Sequence, residues 1–202
     1  EMPDTYLPGE HALVGVITGI VDKGKIITGE NISPGDILVA LPSNGLHTNG
    51  YSLARKIFFE REKYNVNTYI DSLKSTVGEA LLKPHINYTN HVSTILEKSI
   101  EIKGIAHITG GGLTENIPRV LPDNCSVKIK KNTWPKLELF NILQNLGSVD
   151  ENEMYRAFNM GIGMVFIVDK NSITDIKEAL QSISPIYEIG EVIKGGKSVF
   201  YD

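Results

Sequence analysis

Two stretches of this chain share one design, and that design limits the folds open to it. "DILVALP" (36–42) is an apolar run that ends in "SNGLHTNG" (43–50), after which Leu53, Ala54, Ile57 and Phe58 recur at helical spacing. "IEIKGIAHIT" (100–109) alternates like a strand, passes through Gly110, Gly111 and Gly112, and continues into "LTENIPRVLP". A strand that turns through glycines into a helix, twice in one chain, calls for a sheet with helices laid against it. The rest of the pattern agrees. Strands are predicted over 125–130 and 161–169, and helices over 49–64, 87–98, 134–146 and 173–183. A shorter helix in "VGEALLK" is stopped by Pro84. Asp150 followed three residues later by Glu153 predicts a capping box, and "YEIGEVIKGGKSVFYD" a closing hairpin turning at Gly195-Gly196. The expected fold class is α+β, a layered α/β sandwich.

The front of the chain reads differently. Residues 12–21, "ALVGVITGIV", predict one strand, with Gly15 and Gly19 close to a neighbouring backbone. "DKGK" predicts a hairpin turn and "KIITG" a short returning strand, and Pro34-Gly35 is strong turn punctuation. We therefore place a domain junction near residue 30, dividing the chain into 1–30 and 31–202. The chain opens on Glu1 inside what reads as a loop, so the partners of the 12–21 strand are expected upstream and the chain is expected to be a fragment.

Composition removes several classes of function. With 41% hydrophobic and 22% charged residues the chain is not of the disordered type. Its 20 basic and 24 acidic residues are interspersed and give a net charge of −4, so neither a nucleic acid nor a membrane surface is an expected partner. No apolar run reaches the roughly 18 residues of a membrane helix. The single cysteine, Cys125, has no internal partner, which suggests a reducing, cytoplasmic setting, and it reads as a small buried residue at a strand start.

A glycine-rich turn at a helix start leaves backbone N–H groups free, a natural setting for an anion such as phosphate. Ser43, Thr48, Asn49 and Thr109 could add side-chain donors. Such turns are also common without ligands, and neither stretch has the order of a Walker or dinucleotide motif, so both readings stay open. His47, inside the first loop, favours ligand binding or proton transfer over core packing. His107 sits inside a buried-looking strand and reads as a hydrogen-bonded core residue. His11, His85 and His91 lack metal spacing with one another or with Cys125, so no zinc site is expected. Glu153, Arg156 and Asn159 fall three apart, on one helical face. That spacing favours a solvated Glu–Arg pair, although arginine is also a natural clamp for phosphate or carboxylate. Met154, Met160 and Met164 read as core filler.

Taken together, "EMP" at the start, "LPSNGLHTNGYSLARKI", "AHITGGGLTENIPRVLP" and "EMYRAFNMGIGMV" resemble, in order and spacing, the aminoimidazole ribonucleotide synthetase family, formally phosphoribosylformylglycinamidine cyclo-ligase. The resemblance runs from Glu1 to the C-terminus. It implies purine biosynthesis: ATP and Mg²⁺ close the imidazole ring of formylglycinamidine ribonucleotide, by phosphoryl transfer to the formyl oxygen followed by attack of the neighbouring nitrogen. It also implies that the loop Ser43, Asn44, Gly45, His47, Thr48, Asn49 and Gly50 borders the active-site cleft. His47 would serve as a donor or acid/base group, Thr109 and Gly110 to Gly112 would frame the same cleft, and Arg156 and Asn159 would support it.

Family members carry a whole N-terminal domain that binds Mg²⁺ and the ATP phosphates and builds a homodimer. This chain matches only the last part of that domain, a short β remnant ending near Gly29, with Glu1 at the nucleotide end of the site. The resemblance therefore implies that these residues alone are inactive. Two other readings remain at this point: a related ATP-dependent enzyme of the same superfamily acting on another small molecule, and a non-catalytic binding module.

Overall fold

The computed structural model describes Gly9, His11 and residues 14–202. In chain order the elements are β1 (Ile37–Pro42), α1 (Tyr51–Arg55), β2 (Tyr69–Ile70), β3 (Ser75–Thr76), α2 (Val77–Leu81), α3 (Thr89–Glu97) and β4 (Gly104–His107). There follow α4 (Gly112–Asn116), β5 (Cys125–Ile129), α5 (Glu138–Gly147), α6 (Glu151–Ala157), β6 (Ile162–Val168), α7 (Ile173–Leu180), β7 (Tyr187–Lys194) and β8 (Val199–Tyr201).

The apolar run of β1 shows why the sheet needs cover on both sides. Successive side chains of a strand point to opposite faces. Leu38 and Ala40 join one apolar layer with Ala54 of α1, Leu113 of α4, Phe140 of α5 and Tyr155 of α6. Val39 and Leu41 join the other with Ile95 of α3 and with Ile176 and Leu180 of α7. The sheet runs β4-β6-β1-β7-β5-β8, antiparallel throughout except for the β5/β8 pair. β2 and β3 form a separate small ribbon. Cys125 is buried at the start of β5, where burial and the nearby Asp36 raise its thiol pKa.

The layered α+β expectation holds, with local departures that have physical reasons. Gly195 and Gly196 do turn the chain, but β8 does not pair with β7. Both edges of β7 are already taken, by β1 and β5, so β8 lies on the free edge of β5, with Val127 opposite Val199. The helix predicted over 49–64 widens after Arg55 into a π-type turn, Lys56–Arg61. The wider turn lets the consecutive residues Ile57 and Phe58 both face inward. The helix predicted from Trp134 starts at Glu138, because the Trp134 indole N–H donates to the Met160 carbonyl at 2.9 Å and holds its segment against β6. Asp150 caps α6 by accepting from the Asn152 N–H, without a reciprocal bond from Glu153. The reciprocal capping box sits instead at Thr76 and Glu79, at the start of α2.

The front departs most. Residues 14–21 form no strand, and Val14, Ile17 and Ile20 are 84%, 98% and 101% exposed. No neighbouring strand lies beside them among the described residues, and a strand without a ladder partner cannot satisfy its own backbone. Lys23–Lys25 make a single 3₁₀ turn rather than a hairpin, and 25–29 form no returning strand. Ala12, Leu13 and Glu1 lie outside the described residues.

Candidate functional site

Strand direction brings both glycine-rich loops to one end of the sheet. β1 and β4 run the same way on either side of β6, and β6 runs opposite to both. Pro42 at the end of β1 therefore lies opposite Ile162, and His107 at the end of β4 lies opposite Met164, both near the start of β6. The loop 43–50, the loop 108–111 and the segment 158–161 thus meet at that end.

One asparagine ties the first loop to the third segment. Asn159 is fully buried; its amide donates to the Gly45 and Leu46 carbonyls at 2.9 and 3.0 Å. Its side-chain oxygen accepts from the Ser43 hydroxyl at 2.8 Å and from the Gly161 N–H at 2.9 Å. Asn49, also buried, donates to the Ile108 carbonyl at 3.3 Å and so links the first loop to the second. The Thr48 hydroxyl donates to Asn49 at 3.3 Å. Gly50 has φ of 70°, and a Cβ there would lie 2.4 Å from the Phe158 ring, so the loop needs glycine at that turn.

The triple-glycine loop is held in the same manner. The Asn116 amide lies 3.1, 3.2 and 2.8 Å from the carbonyls of Thr109, Gly110 and Gly112, and its oxygen accepts from the Thr109 hydroxyl at 2.9 Å. Gly112 packs so closely on α6 that a Cβ would fall 2.2 Å from the Tyr155 carbonyl oxygen. Glu115 folds its carboxylate back over Gly111, and Arg156 pairs with it at 3.0 Å.

Arg156 and Asn159 do not share a helical face, since α6 ends at Ala157 and Phe158 is extended. Asn159 turns inward while the Arg156 side chain is 59% exposed, and its partner is Glu115 rather than Glu153. An exposed pair of this kind contributes about 0–1 kcal/mol. Arg156→Ala is therefore expected to destabilise the protein by no more than that, read from the urea midpoint and slope, with no change in circular dichroism. A larger loss would assign Arg156 a structural role that the ion pair does not supply.

His47 sits at the centre of the end. Its backbone is left-handed, with φ of 54°, a conformation uncommon for a residue with a side chain, and it is only 5% exposed. Nε2 lies 2.9 Å from the Asn44 side-chain oxygen and 3.3 Å from the Asn44 backbone nitrogen, whereas Nδ1 is buried without a protein partner. Its pKa is pushed down to about 4, first by burial and then by His85 and His107, so at neutral pH it is a neutral imidazole. Gly163 makes room for it: a Cβ there would meet the Tyr88 hydroxyl at 1.8 Å and His47 Cε1 at 3.0 Å. Tyr88 is fixed by donating to the Pro42 carbonyl at 2.7 Å.

His107 is not the core residue its strand predicted. As the last residue of β4 its side chain is exposed, and its Nε2 lies 3.1 Å from Nε2 of His85. The His85 ring lies 4.0 Å from that of His47. A cavity of about 670 Å³ opens beside them, lined by His85, Tyr88, Val92, Leu96, His107 and Met164. Sequence reasoning missed His85, Tyr88, Asn116 and Gly163. Only Asn116 left a signal, as a buried polar residue one turn after the glycines; the others come together through β6. Among the described residues, no group of three or more His, Cys, Asp or Glu side chains could hold a metal ion. No helix among them is long and apolar enough to cross a membrane.

Comparison with known proteins places this geometry in a family. Residues 33–202 match the family model described as AIR synthase related protein, C-terminal domain. The chain is 45% identical over 198 residues to a phosphoribosylformylglycinamidine cyclo-ligase of Syntrophotalea carbinolica, covering 98% of this chain and 56% of that protein. It is 40% identical over 200 residues to the enzyme of that name from Alkaliphilus metalliredigens, covering 98% of this chain and 57% of that protein. The chain thus spans a little over half the length of the curated relatives it matches. Among solved structures, a thiamine-monophosphate kinase from Stenotrophomonas maltophilia superposes with a TM-score of 0.60 at 15% identity, covering 90% of this chain and 54% of that one. A hydrogenase maturation protein HypE superposes with a TM-score of 0.56 at 17% identity, covering 89% and 49%. These two likenesses concern the fold alone.

Proposed function

The chain belongs to the AIR synthase related family, whose C-terminal domain it carries over residues 33–202, and from that premise we propose that it is the substrate-side part of an ATP-dependent phosphoribosylformylglycinamidine cyclo-ligase. The reaction is closure of the imidazole ring of formylglycinamidine ribonucleotide in purine biosynthesis, in the cytoplasm. The observation that carries this reading is 40–45% identity to enzymes of that name along nearly the whole chain. In this proposal residues 31–202 form the substrate-side domain, and 1–30 belong to an ATP-binding and dimerising domain.

The described residues gather no carboxylate cluster of the kind that holds Mg²⁺ with a nucleotide, so they do not fit that ion. ATP and Mg²⁺ belong, on this reading, to the part of the relatives' length that this chain does not span, with Glu1 at its edge. The same part would join two copies into a homodimer.

What this chain contributes is a shaped, pre-organised rim. His47, neutral at pH 7, can donate or accept one hydrogen bond without adding charge, which suits a substrate amide. Asn44, Thr48 and the backbone of Gly45, Gly50 and Gly110 to Gly112 border the ribonucleotide. Ser43, Asn49, Thr109 and Asn159 support it indirectly, because their side chains are committed to the bonds that fix the loops. Arg156 acts through Glu115 at the outer edge. Fixing these loops before the substrate arrives removes their ordering entropy from the binding step.

Calorimetric titration of the chain with the ribonucleotide substrate tests the proposal. Millimolar or tighter binding, weakened by His47→Asn, is the expected result. Saturable binding that is indifferent to His47 would overturn its assignment to the substrate side.

A further inference from the structure

We infer that His85 and His107 form a two-histidine site for a divalent transition-metal ion, of the Zn²⁺, Ni²⁺ or Co²⁺ type, at the mouth of the cavity beside His47. The inference begins with the tautomer of His85. Its Nδ1 lies 2.7 Å from the Ile86 carbonyl oxygen, an acceptor only, so in the neutral ring the proton is on Nδ1 and Nε2 keeps its lone pair. This is the arrangement by which metal-bound histidines are commonly oriented, one ring nitrogen donating to a carbonyl while the other faces the ion.

The second ring supplies the matching nitrogen. Nε2 of His107 lies 3.1 Å from Nε2 of His85, and in the ion-free protein one proton shared between them accounts for the contact. Two nitrogens at that separation, each about 2.0–2.1 Å from a common centre, subtend about 100° there, within the range of tetrahedral and octahedral metals. On binding, His107 moves its proton from Nε2 to Nδ1, so the exchange needs no ionisation.

Both rings are also held in place. His85 lies against His47 at 4.0 Å and edge-on to Tyr88 at 6.0 Å, Tyr88 is anchored on Pro42, and His107 is the terminal residue of a paired strand. Exposure of both side chains leaves a path for the ion. Nε2 of the neighbouring His47 is already engaged by Asn44. Water or a ligand group in the 670 Å³ cavity fills the remaining positions. Stability does not explain the pair, since one neutral hydrogen bond between exposed rings has little net effect. Imidazole nitrogens disfavour Mg²⁺, which prefers oxygen ligands, so the pair selects transition metals.

The test is titration of the chain with Zn²⁺ in competition with a chromophoric chelator, and with Co²⁺ followed by its visible d–d absorption. One ion per chain is expected, held in the order Co²⁺ below Ni²⁺, with no response to Mg²⁺. His85→Ala and His107→Ala are each expected to weaken binding at least about tenfold while leaving circular dichroism unchanged. Absence of saturable binding below a millimolar, or binding that survives either substitution, would overturn the site, the second outcome marking adventitious capture by a single ring.

Discussion

Asn159→Ala is expected to destabilise the protein by about 3–4 kcal/mol, a large fraction of a small domain's total, read as a lower urea midpoint with an unchanged slope. Alanine removes four hydrogen bonds at a fully buried position. It leaves the carbonyls of Gly45 and Leu46, the Gly161 N–H and the Ser43 hydroxyl without their partner, and each buried orphan costs about 1–3 kcal/mol before water enters the hole. Asn159→Asp separates hydrogen bonding from volume. Aspartate fills the same space, yet it sets an oxygen against two carbonyl oxygens and buries a charge, so it is expected to be at least as damaging as alanine. If Asn159 served mainly to contact a ligand, both variants would keep the wild-type midpoint, and the structural role assigned here would be wrong.

The two loops show what could be read from the sequence and what could not. The strand, the glycines and the helical spacing after them are local signals, and they placed β1, β4 and their loops correctly. The roles of the polar residues are not local. Ser43, Asn49 and Thr109 looked like surplus donors waiting for an anion, because their partners lie as far as 116 residues away in sequence. Once folded, each loop is pinned by one buried asparagine, Asn159 for the first and Asn116 for the second. The periodicity that put Arg156 and Asn159 on one face failed because the helix ends between them, at Ala157.

The histidines follow the same division. His47 stood out because a loop has little reason to hold a histidine. His85 and His107 did not, since their meeting depends on β4 pairing with β6 and on the segment at Pro84, whose carbonyl accepts from the Asn44 amide, lying at the same sheet end. The 12–21 segment illustrates the opposite limit. Its alternation is a valid strand signal, but a strand is a property of two chains side by side, and none lies beside it among the described residues.

Replacing His47 should produce the largest effect on activity, in a protein of the relatives' full length that carries this chain. A side chain in a loop ordinarily buries little, which would make alanine a mild change for the fold. At 5% exposure, with its ring between His85 and Gly163, His47 instead fills space, and alanine would leave a void under His85. Asparagine is the better probe. It tolerates the left-handed backbone that His47 adopts, keeps a polar group in the site, and should cost no more than about 1–2 kcal/mol. Turnover is then expected to fall by about 10²–10⁴, the range for a positioned proton-transfer or hydrogen-bonding group. The division between kcat and KM says which role it has. A fall in kcat at constant KM means that the imidazole acts only as the ring closes, whereas a rise in KM alone means that it holds the ground-state substrate. Kinetics within a few-fold of wild type would reduce His47 to a packing residue, and the strained backbone at position 47 would then have to be explained by the closure of the loop over Gly163.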